Sequence, residues 1–600
     1  MKKNASIPIS ITAAILLIAA VFVPPFSRAS AAPPPPEGSR PRVEFSTPSL
    51  SKPLSEIEAA SFAADSGDDA ASPRLRPNFF DLDEQGSQLQ SAVSPADAPP
   101  AALSFDGISN IDGVLPPDTN GDVGPNHYVQ MVNLSIAVWD KTGNMAPGFP
   151  KASNLIWQGF GGQCEHSNDG DPVVLYDSYA DRWMVSQFVA TAPYYECVAV
   201  SQTADPTGAW YRYAFSWGST LFPDYPKLGV WNDAYYMTVN QFNGNTYAGV
   251  GVAAFEREKM LQGQTARMVA YNLGSVDLNH WALLPPDADG ITPPPAGAPA
   301  PFLSYYDTIV SGSDSLLLWN FHVDWSNTAN STFGNNLNPD QEILIADLDS
   351  SLCSSGFCIP QPGTGQKLDD LSYHLMHRMQ FRQFPTHQAL AANMTVDANG
   401  SGLGGIYWVE LRKTGSTWTL YQEGLYAPDS NHRWMGSIAF DRVGNLALGY
   451  SLSSSSIYPS IAITGRYASD PAGQMMTERV LHAGGGSQTS SYGRWGDYSM
   501  MAVDPVDDCT FWYTTEYLSS TSESHWKTRI VSFKFPNCSA QPLATLTGQI
   551  FNLDTGEPIA NATVSAASAL TTADINGHYQ FLLAAGTYNV KASAFGYLEA

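Results

Sequence analysis

Positive charge is scarce in this sequence of 600 residues. Lysine and arginine together number 30 against 56 aspartate and glutamate residues, which gives a formal net charge of -26 at pH 7. A surface of this sign repels the phosphate backbone of nucleic acids and the anionic face of membranes. The composition therefore excludes nucleic acid as a partner.

Long hydrophobic runs are also missing, apart from one at the N-terminus. Met1-Lys2-Lys3 precedes an apolar run from Ile7 to Val23, and small residues follow up to Ala31. These are the three regions of a secretory signal peptide, which we predict for residues 1–31, with a retained membrane anchor as the alternative. No other stretch approaches the roughly 18 apolar residues that a span requires, so we expect a secreted or cell-surface protein without a membrane span after cleavage.

Cysteine is rare, and no pair has the CxxC spacing typical of a zinc site. An even number of cysteines in an oxidising compartment predicts disulfide bonds. Six cysteines allow 15 pairings, and proximity in the sequence favours Cys164 with Cys197, Cys353 with Cys358, and Cys509 with Cys538.

Residues 32–100 contain few aromatic residues and are rich in Pro, Ser, Ala and Asp. Such a segment buries too little apolar surface to offset the entropy of ordering, so we predict a disordered linker. From about residue 101 the composition changes. Aromatic residues reach 12% of the whole chain, and 49 Gly and 43 Pro are typical of many short strands joined by turns.

One short pattern recurs between residues 101 and 540. It consists of an apolar strand, a turn of Asp, Asn, Gly or Pro, and a second strand with aromatic residues, at intervals of about 63 residues. The seven copies begin at Asp122, Val174, Leu228, Ile309, Met394, Ile438 and Met501. The pattern predicts an all-β fold, a seven-bladed β-propeller, with six or eight blades open because the Ile309 copy is the weakest. A two-sheet sandwich is the structural alternative.

After the last copy only one more strand is predicted, in residues 528–536, which leaves the last blade with three strands. An open ring would expose an unpaired strand edge. We therefore expect a strand near Leu103 to Phe105 to complete this blade and close the ring, with Cys509–Cys538 fastening the junction.

The C-terminal residues 544–600 contain "DTGEPIANATV", the turn "ADINGHYQF", "AAGTYNV" and "AFGY". This text resembles the carboxypeptidase regulatory-like domain, a small Ig/transthyretin-like β-sandwich. Asn576-Gly577 and Ala585-Gly586 supply hairpin turns independently of the resemblance. The resemblance implies an accessory module without peptidase activity, and because the family pattern continues past "AFGY", it implies a truncated module or a chain that is a fragment.

The preceding region resembles a group of secreted bacterial propeller proteins of mostly unassigned function. The similar segments are "PPDTNGDVGPNHYVQMVN", "DYPKLGVW", "RWMGSIAFD" and "RWGDYSMMAVDPVDDCTFWYT". The resemblance implies the fold and an extracellular setting, and it implies no reaction.

Polar side chains precede several of the repeated strand pairs, where the chain would approach the central channel. We predict that they converge on one end of the ring as a ligand site formed by Asp171, Arg382, Arg433, Trp434, Arg494 and Asp497. Three guanidinium groups around an axis could hold a carboxylate or sulfate. This is similar to the arginine triad of sialidases, although the aspartate boxes S-x-D-x-G-x-T-W and the segment Phe-Arg-Ile-Pro of that family are absent.

An enzymatic interpretation needs two carboxyl-type groups. The candidates are Glu410, Glu516 and Tyr498 as nucleophile or its partner, and Asp118 or Asp171 as acid. The structural alternative is that the Arg-Trp pairs pack between blades and bond loop carbonyls or aspartates.

Two patterns suggest metals. Asp118, Asn120 and Asp122 have the alternating oxygens of a calcium loop, but Val123 replaces the usual glycine of an EF-hand and its terminal Glu is absent, so an Asx turn is the alternative. His374, His377 and His387 lie within 14 residues; polar positions on a strand or short helix are the alternative. No cofactor other than calcium is indicated.

From these features we expect a binding or scaffold protein that recognises an extracellular glycan or protein through one end of the propeller. The alternatives are a sialidase-like glycoside hydrolase or a lyase acting on acidic sugars, and a structural spacer of a longer multidomain protein.

Overall fold

The structure is a computed structural model. It describes residues 40–58, 87, 89, 92–307, 314–353, 355–539 and most of 543–594, where the gaps are 553–554, 561, 567–568 and 585–588. The predicted signal peptide, the Ala585-Gly586 turn and the first residues of the Ile309 copy lie outside the described residues. Within them, no helix is long and apolar enough to cross a membrane.

Almost all regular structure in the described residues is β. The strands of the first half are β1 Arg42–Ser46, β2 Ser49–Leu50, β3 Val93–Asp97, β4 Ala101–Ser109, β5 Asn120–Val123, β6 His127–Val132, β7 Ser135–Asp140, β8 Lys151–Ala152, β9 Val173–Asp177, β10 Arg182–Val189, β11 Tyr194–Ser201, β12 Trp210–Gly218, β13 Phe222–Val230, β14 Ala234–Asn243, β15 Thr246–Glu256, β16 Ala266–Asn272, β17 Pro286–Asp289, β18 Ala300–Tyr306, β19 Ser315–His322 and β20 Thr332–Phe333.

The remaining strands are β21 Gln341–Leu344, β22 Phe357–Ile359, β23 Leu368–Asp369, β24 Leu375–Gln383, β25 Gln388–Asp397, β26 Gly404–Lys413, β27 Thr419–Tyr426, β28 His432–Phe440, β29 Leu446–Ser453, β30 Ser460–Arg466, β31 Met475–Thr477, β32 Arg479–His482, β33 Met500–Val503, β34 Thr510–Tyr517, β35 Lys527–Lys534, β36 Leu543–Gln549, β37 Thr563–Ala566, β38 Ala569–Thr572, β39 His578–Ala584 and β40 Val590–Ser593. The helices are α1 Gln163–His166, α2 Arg257–Leu261 and the 3-10 turns Leu54–Glu56, Ser153–Trp157, Leu273–Ser275 and Thr328–Asn330.

Strands β4 to β35 form a seven-bladed β-propeller, as predicted. The inner strands of the blades are, in order, β5, β9, β13, β17, β24, β28 and β33, and each lies beside the next around the ring. Most blades are antiparallel sheets that run outward in sequence order, such as β9-β10-β11-β12 in blade 2. Blade 4 is irregular, because its inner strand β17 pairs in parallel with β24 of blade 5 and bridges its own sheet only at Leu284 and Leu303.

The N-terminal strand β4 closes the ring, which confirms the predicted completion of the last blade. It pairs antiparallel with β35, with Leu103 opposite Ser532 and Phe105 opposite Ile530. Blade 7 therefore combines both ends of the propeller sequence, and its order is β33-β34-β35-β4. The sheet edge that an open ring would leave unpaired is covered.

The described parts of residues 32–100 are not a disordered linker, contrary to the prediction. Strand β1 extends blade 3 at β16, β2 extends blade 2 at β12, and β3 pairs with β31 of blade 6. The composition argument considered buried apolar surface alone. Here the segment is ordered by backbone hydrogen bonds to exposed sheet edges, which need few apolar side chains.

The repeat count was right, but the alignment of two copies was wrong. In blades 1, 2, 3, 6 and 7 the recurring pattern covers the first and second strands. The Met394 copy instead covers the second and third strands of blade 5, and the described part of the Ile309 copy covers only the third strand of blade 4, because the inner strands β17 and β24 lie earlier in the chain. This shift matters for Arg378 and Arg382, which lie inside β24 and not in front of it.

Polar side chains join the inner strands to one another. Asn120 Oδ1 accepts from Val174 N, Ser437 Oγ from Met501 N, and Gln380 Oε1 from Phe440 N. Most neighbouring inner strands do not form a continuous ladder, so their inward N–H groups need side-chain acceptors. Many buried polar residues near the axis are therefore structural.

The three predicted disulfides are confirmed. Cys164 bonds to Cys197, Cys353 to Cys358 and Cys509 to Cys538. The last of these joins the turn after β33 to the chain that leaves β35, and so it fastens blade 7 as expected.

Strands β36 to β40 form the predicted C-terminal sandwich. β36 pairs with β39, and β37 pairs with both β38 and β40. The turn before β39 contains Gly577, whose φ is +75° and whose N–H donates to Asp574 O. A left-handed backbone favours glycine, which accounts for the Asn576-Gly577 hairpin signal.

Candidate ligand site at the mouth end of the channel

The two ends of the propeller differ in their connections. We call the end at which the inner strands begin the mouth end, and the other the far end. The long connections 153–172, 345–374 and 483–499 and the disulfides Cys164–Cys197 and Cys353–Cys358 are at the mouth end. Short Asp-rich turns such as 441–445 are at the far end. Ligand sites are most often built from loops on a rigid scaffold, so the mouth end is the candidate surface.

At the mouth end of each blade, a non-glycine residue with a left-handed backbone lies within four residues of the first residue of the inner strand. The seven residues, with φ between 40° and 70°, are Asp118, Asp171, Tyr225, Ala282, Tyr373, Met435 and Asp497. Aspartate tolerates this conformation, whereas tyrosine, methionine and alanine rarely adopt it. Strain of this kind persists only where the surroundings fix it, and it is common at binding sites. Here the left-handed backbone sets the orientation of one side chain of each blade at the mouth.

Lys227 on β13 is at the centre of this end. Its Nζ lies 3.3 Å from the ring centre of Tyr225 and 3.9 Å from that of Tyr498, and it donates to Pro226 O at 3.1 Å. An ammonium between two aromatic faces is stabilised by the ring quadrupoles. Burial nevertheless lowers the pKa of Lys227 to about 8, against the attraction of Asp171, Asp118 and other carboxylates.

Asp118 and Asp171 form a carboxyl pair next to Lys227. Their side chains are hydrogen-bonded, and burial together with repulsion from Asp224 raises the pKa of Asp171 to about 7, while Lys227 lowers it. Both residues are at most 5% exposed. Asp171 is therefore easier to protonate than an aspartate on the surface.

Tyr225 links the blades across the mouth. Its hydroxyl donates to Asp497 O at 3.1 Å and lies 3.3 Å from His374 Nε2, and Tyr498 OH lies 3.5 Å from Pro172 O on the opposite side. Blades 2, 3, 5 and 7 thus meet here. Tyr225 and Asp224 are half-buried, so this part of the cluster reaches the surface.

His377 lies deeper in the same cluster. It is 1% exposed, its Nε2 has no hydrogen-bond partner, and its ring centre is 6.3 Å from that of Tyr498. Burial and the charges of Lys227 and Arg378 hold its pKa well below the ordinary value, so the imidazole is neutral.

Arg494 is the outer cation of the mouth end. Its Nε lies 3.1 Å from Asp369 Oδ2, and its Nη2 donates to Asp497 Oδ2. Asp497 Oδ1 has no hydrogen-bond partner although the residue is only 7% exposed. Glu516 accepts from Gly496 N, and burial raises its pKa well above the ordinary value. Asp171, Arg494, Asp497 and Tyr498 of the sequence prediction are therefore brought together.

Arg433 and Trp434 have a different environment at this end. Arg433 is fully buried and donates to both oxygens of Glu478, and also to Asp429. Trp434 packs against Trp495, with ring centres 6.1 Å apart. These contacts match the structural alternative for the Arg-Trp pairs.

Arg382 lies near the end of β24, at the far end. It donates to Phe440 O at 3.0 Å and to Asp508 in the turn after β33. Because the inner strands run in the same direction, Arg382 and Arg494 are at opposite ends of the channel. Arg382, Arg433 and Arg494 share no carboxylate partner, and the structure does not assemble them into a triad.

Arg378 crosses the middle of the channel. It pairs with Asp287 and Asp289 of blade 4 and donates to Met501 O of blade 7 at 3.2 Å. With 1% exposure it separates the mouth cluster from the far-end residues.

The other predicted candidates are elsewhere or engaged. Glu410 is on the third strand of blade 5 and accepts from Arg412 and Gln422. His387 lies in a far-end turn against Phe384, away from His374 and His377. Within the described residues, the only group of His, Cys, Asp or Glu side chains close enough to share an ion is Cys353, Cys358 and Asp370, and its cysteines form a disulfide.

Calcium at the 118–122 segment stays a prediction. Asn120 Oδ1 accepts from Val174 N, and the Asp122 oxygens accept from Val123 N and Tyr176 N. The bonds to Val174 N and Tyr176 N link the inner strand of blade 1 to that of blade 2.

Sequence reasoning missed the central pair of the site, Tyr225 and Lys227. The aromatic rings on either side of the Lys227 ammonium come from blades 3 and 7, and no local pattern predicts that they meet. One signal was available: Asp118, Asp171 and Asp497 each follow Pro or Gly directly before an apolar strand, and aligning the blades on these residues leads to Tyr225.

Comparison with known proteins supports the C-terminal assignment. Residues 545–600 match the family of the carboxypeptidase regulatory-like domain. A viral protein, "Structural protein 27" of the isolate Australia/Victoria, is 46% identical over 54 residues, which are 9% of this chain and 10% of the viral protein. The chain thus spans a small part of that relative.

Several solved structures are similar to this chain at low sequence identity and low TM-score. A polysaccharide lyase of family PL25, an ulvan lyase, is 10% identical, with a TM-score of 0.34 over 74% of this chain and 94% of its own. Drosophila Semaphorin 1b, extracellular domains 1–2, is 7% identical, with a TM-score of 0.33 over 73% and 88%. An endo-arabinase from Bacteroides thetaiotaomicron VPI-5482 is 11% identical, with a TM-score of 0.24 over 50% and 95%. These likenesses assign no activity to this chain.

Proposed function

We propose that this protein binds an extracellular glycan at the mouth end of its propeller. The observation that carries the proposal is the position of Tyr225, a half-buried aromatic ring held at the channel mouth by its bonds to Asp497 and His374. Sugar rings bind to aromatic faces, and their hydroxyls bond to adjacent charged side chains. Asp224 and Arg494 supply such groups beside the ring.

The fixed geometry of the mouth favours binding. Tyr225 has a left-handed backbone, its ring contacts the Lys227 ammonium, and its hydroxyl is anchored on another blade. A ring that is already immobilised loses little entropy when a ligand contacts it. The three disulfides fit an extracellular protein.

The alternative of an enzyme acting on acidic sugars finds less support. Such an enzyme needs a cation that is available to a carboxylate or sulfate, and Arg382, Arg433 and Arg494 are each paired with acidic side chains. A structural spacer would also pair its arginines. It would not bind sugar, which makes binding the deciding measurement.

The test is a glycan array followed by calorimetric titration of the best ligand with the full chain. We expect Tyr225→Ala to weaken binding at least about tenfold, the loss of one aromatic anchor. Tyr421→Ala is the matched control, because Tyr421 is 51% exposed on the outer strand of blade 5. Equal affinity in the two variants, or no bound glycan at all, contradicts the proposal; capture of a protein ligand alone would favour a protein scaffold.

A further inference from the structure

The charges at the mouth end are unbalanced. Among the described residues of the cluster, aspartates 118, 171, 224, 369 and 497 face only two cations, Lys227 and Arg494. Arg494 is shared by Asp369 and Asp497, and Lys227 is attracted by the other three together with Asp497. Both cations are thus engaged by acidic side chains of the protein, and neither is left over to pair with an anionic ligand.

The cluster already holds one ammonium group. The Nζ of Lys227 lies between the rings of Tyr225 and Tyr498, surrounded by carboxylates. Aromatic faces together with acidic groups are the chemistry by which proteins recognise ammonium ligands. The same Tyr225 ring belongs to the half-buried rim of the mouth.

A second observation points to a ligand from outside. Asp497 Oδ1 is buried and has no hydrogen-bond partner, although the same carboxylate bonds Arg494 through its other oxygen. His377 Nε2 is likewise without a partner in this cluster. Buried acceptors of this kind are normally satisfied by a protein group, a water or a ligand. An ammonium donor is the complement of the Asp497 oxygen.

From this balance we infer that the mouth end selects a glycan that carries a free amino group over neutral and acidic glycans. The inference rests on the proposed glycan-binding function and names its ligand class. The net charge of the whole chain, -26, acts in the same direction, because it draws cationic ligands to the surface.

The test compares three trisaccharides by calorimetry on the full chain: the glucosamine trimer, the N-acetylglucosamine trimer and the galacturonic acid trimer. At a pH at which the amines are protonated, we expect the glucosamine trimer to bind at least about tenfold more tightly than either of the others, which corresponds to one charge-assisted contact. Raising the salt concentration should reduce the preference, because it is electrostatic.

Asp497→Asn is the key variant. It should lower the affinity for the glucosamine trimer about tenfold more than the affinity for the N-acetylated trimer. Glu258→Gln is the matched control, since Glu258 is an exposed acid on α2 at the outside of blade 3, and it should change neither value. If Asp497→Asn does not fold, Asp224→Asn at the half-buried rim serves the same purpose.

The outcomes separate the two ideas. Tight binding of the N-acetylated or acidic trimer without a preference for the amine overturns the inference and leaves glycan binding in place, as does an amine preference that Asp497→Asn does not alter. If no oligosaccharide binds, the proposed function fails. Titration with propylammonium, followed by NMR at the His377 and Tyr225 signals, then decides whether the mouth accepts a cation, and no shift overturns the inference as well.

Discussion

The Nζ of Lys227 lies 3.3 Å from the centre of the Tyr225 ring, at the point where the blades meet at the mouth of the channel. Tyr225 has a left-handed backbone, and Lys227 is the cation that attracts the surrounding carboxylates. The contact between them therefore connects the backbone conformation at the mouth with its electrostatics. The mouth is therefore held together by a single ammonium that balances several acids. Its removal should affect stability as well as binding.

We predict that Lys227→Met lowers the free energy of unfolding by about 3–5 kcal/mol at pH 7. The substitution leaves Asp118 and Asp171 buried without the cation that attracts them, and an uncompensated buried charge costs this much. At pH 5 the loss should be smaller, because a carboxyl group with a raised pKa such as Asp171 is then protonated. Urea denaturation at the two pH values measures both effects.

The control for this variant is Lys52→Met, which removes an exposed lysine near the outer edge of blade 2. We expect a change within about 0.5 kcal/mol. A Lys227 variant as stable as this control at pH 7 would show that the carboxylates do not need the ammonium.

The buried carboxyl groups with a raised pKa should each lower the free energy of unfolding as the pH rises from 5 to 8. Burial raises the pKa of Glu196 to about 8, and that of Asp287 and Asp441 to about 6. A carboxyl group with a raised folded pKa binds more protons in the folded than in the unfolded chain. Its stabilising contribution is complete below the unfolded pKa and is lost as the pH rises through the folded value.

Glu196→Gln isolates this effect. The amide resembles the protonated acid but does not titrate, so the decrease in unfolding free energy between pH 5 and pH 8 should be smaller than in the wild type by roughly 3 kcal/mol. Denaturant titrations at three pH values test this, with Glu258→Gln as the exposed control. A variant with the slope of the wild type would mean that Glu196 is ionised throughout.

The strand-turn-strand pattern predicted the fold well because it occurs seven times in the sequence. The count of blades, the closure by residues 103–105 and the disulfides depend on patterns that are local in sequence, and all are confirmed. The alignment failed at Ile309 and Met394. There the later strands of the blade carry the pattern more strongly than the inner strands, and β17 even leaves its own sheet to pair with β24.

The site could be predicted only in part. Asp171, Arg494 and Asp497 were expected at one end and meet there, because each lies at the same position of its blade. Arg382 was expected with them, but it lies inside β24 and therefore at the far end. The contact of Lys227 with Tyr498 joins residues that are far apart in the chain, and no local pattern specifies which side chains meet across an axis.

The disulfides should contribute unequally to stability. Cys509 and Cys538 are separated by 29 residues, whereas Cys353 and Cys358 are separated by 5. The restriction of the unfolded chain grows with loop length, so replacing the first pair with Ala should cost about 3.5 kcal/mol and the second about 2 kcal/mol. Chemical denaturation of the two double variants provides the comparison, and a larger cost for the short loop would contradict a loop-length origin.

The last prediction concerns the contact between blades 3 and 4. Gly229 on β13 faces β17 so closely that a Cβ atom would lie 2.2 Å from Pro286 O, a backbone atom that cannot rotate away. Gly229→Ala should therefore push the two inner strands apart and destabilise the protein by about 1–3 kcal/mol, the usual cost of overpacking. Gly415→Ala is the control, because nothing lies within 4 Å of its Cβ position. Since β13 also carries Tyr225 and Lys227, the displacement should weaken ligand binding at the mouth. If stability falls while affinity is unchanged, the mouth is insulated from the spacing of the inner strands.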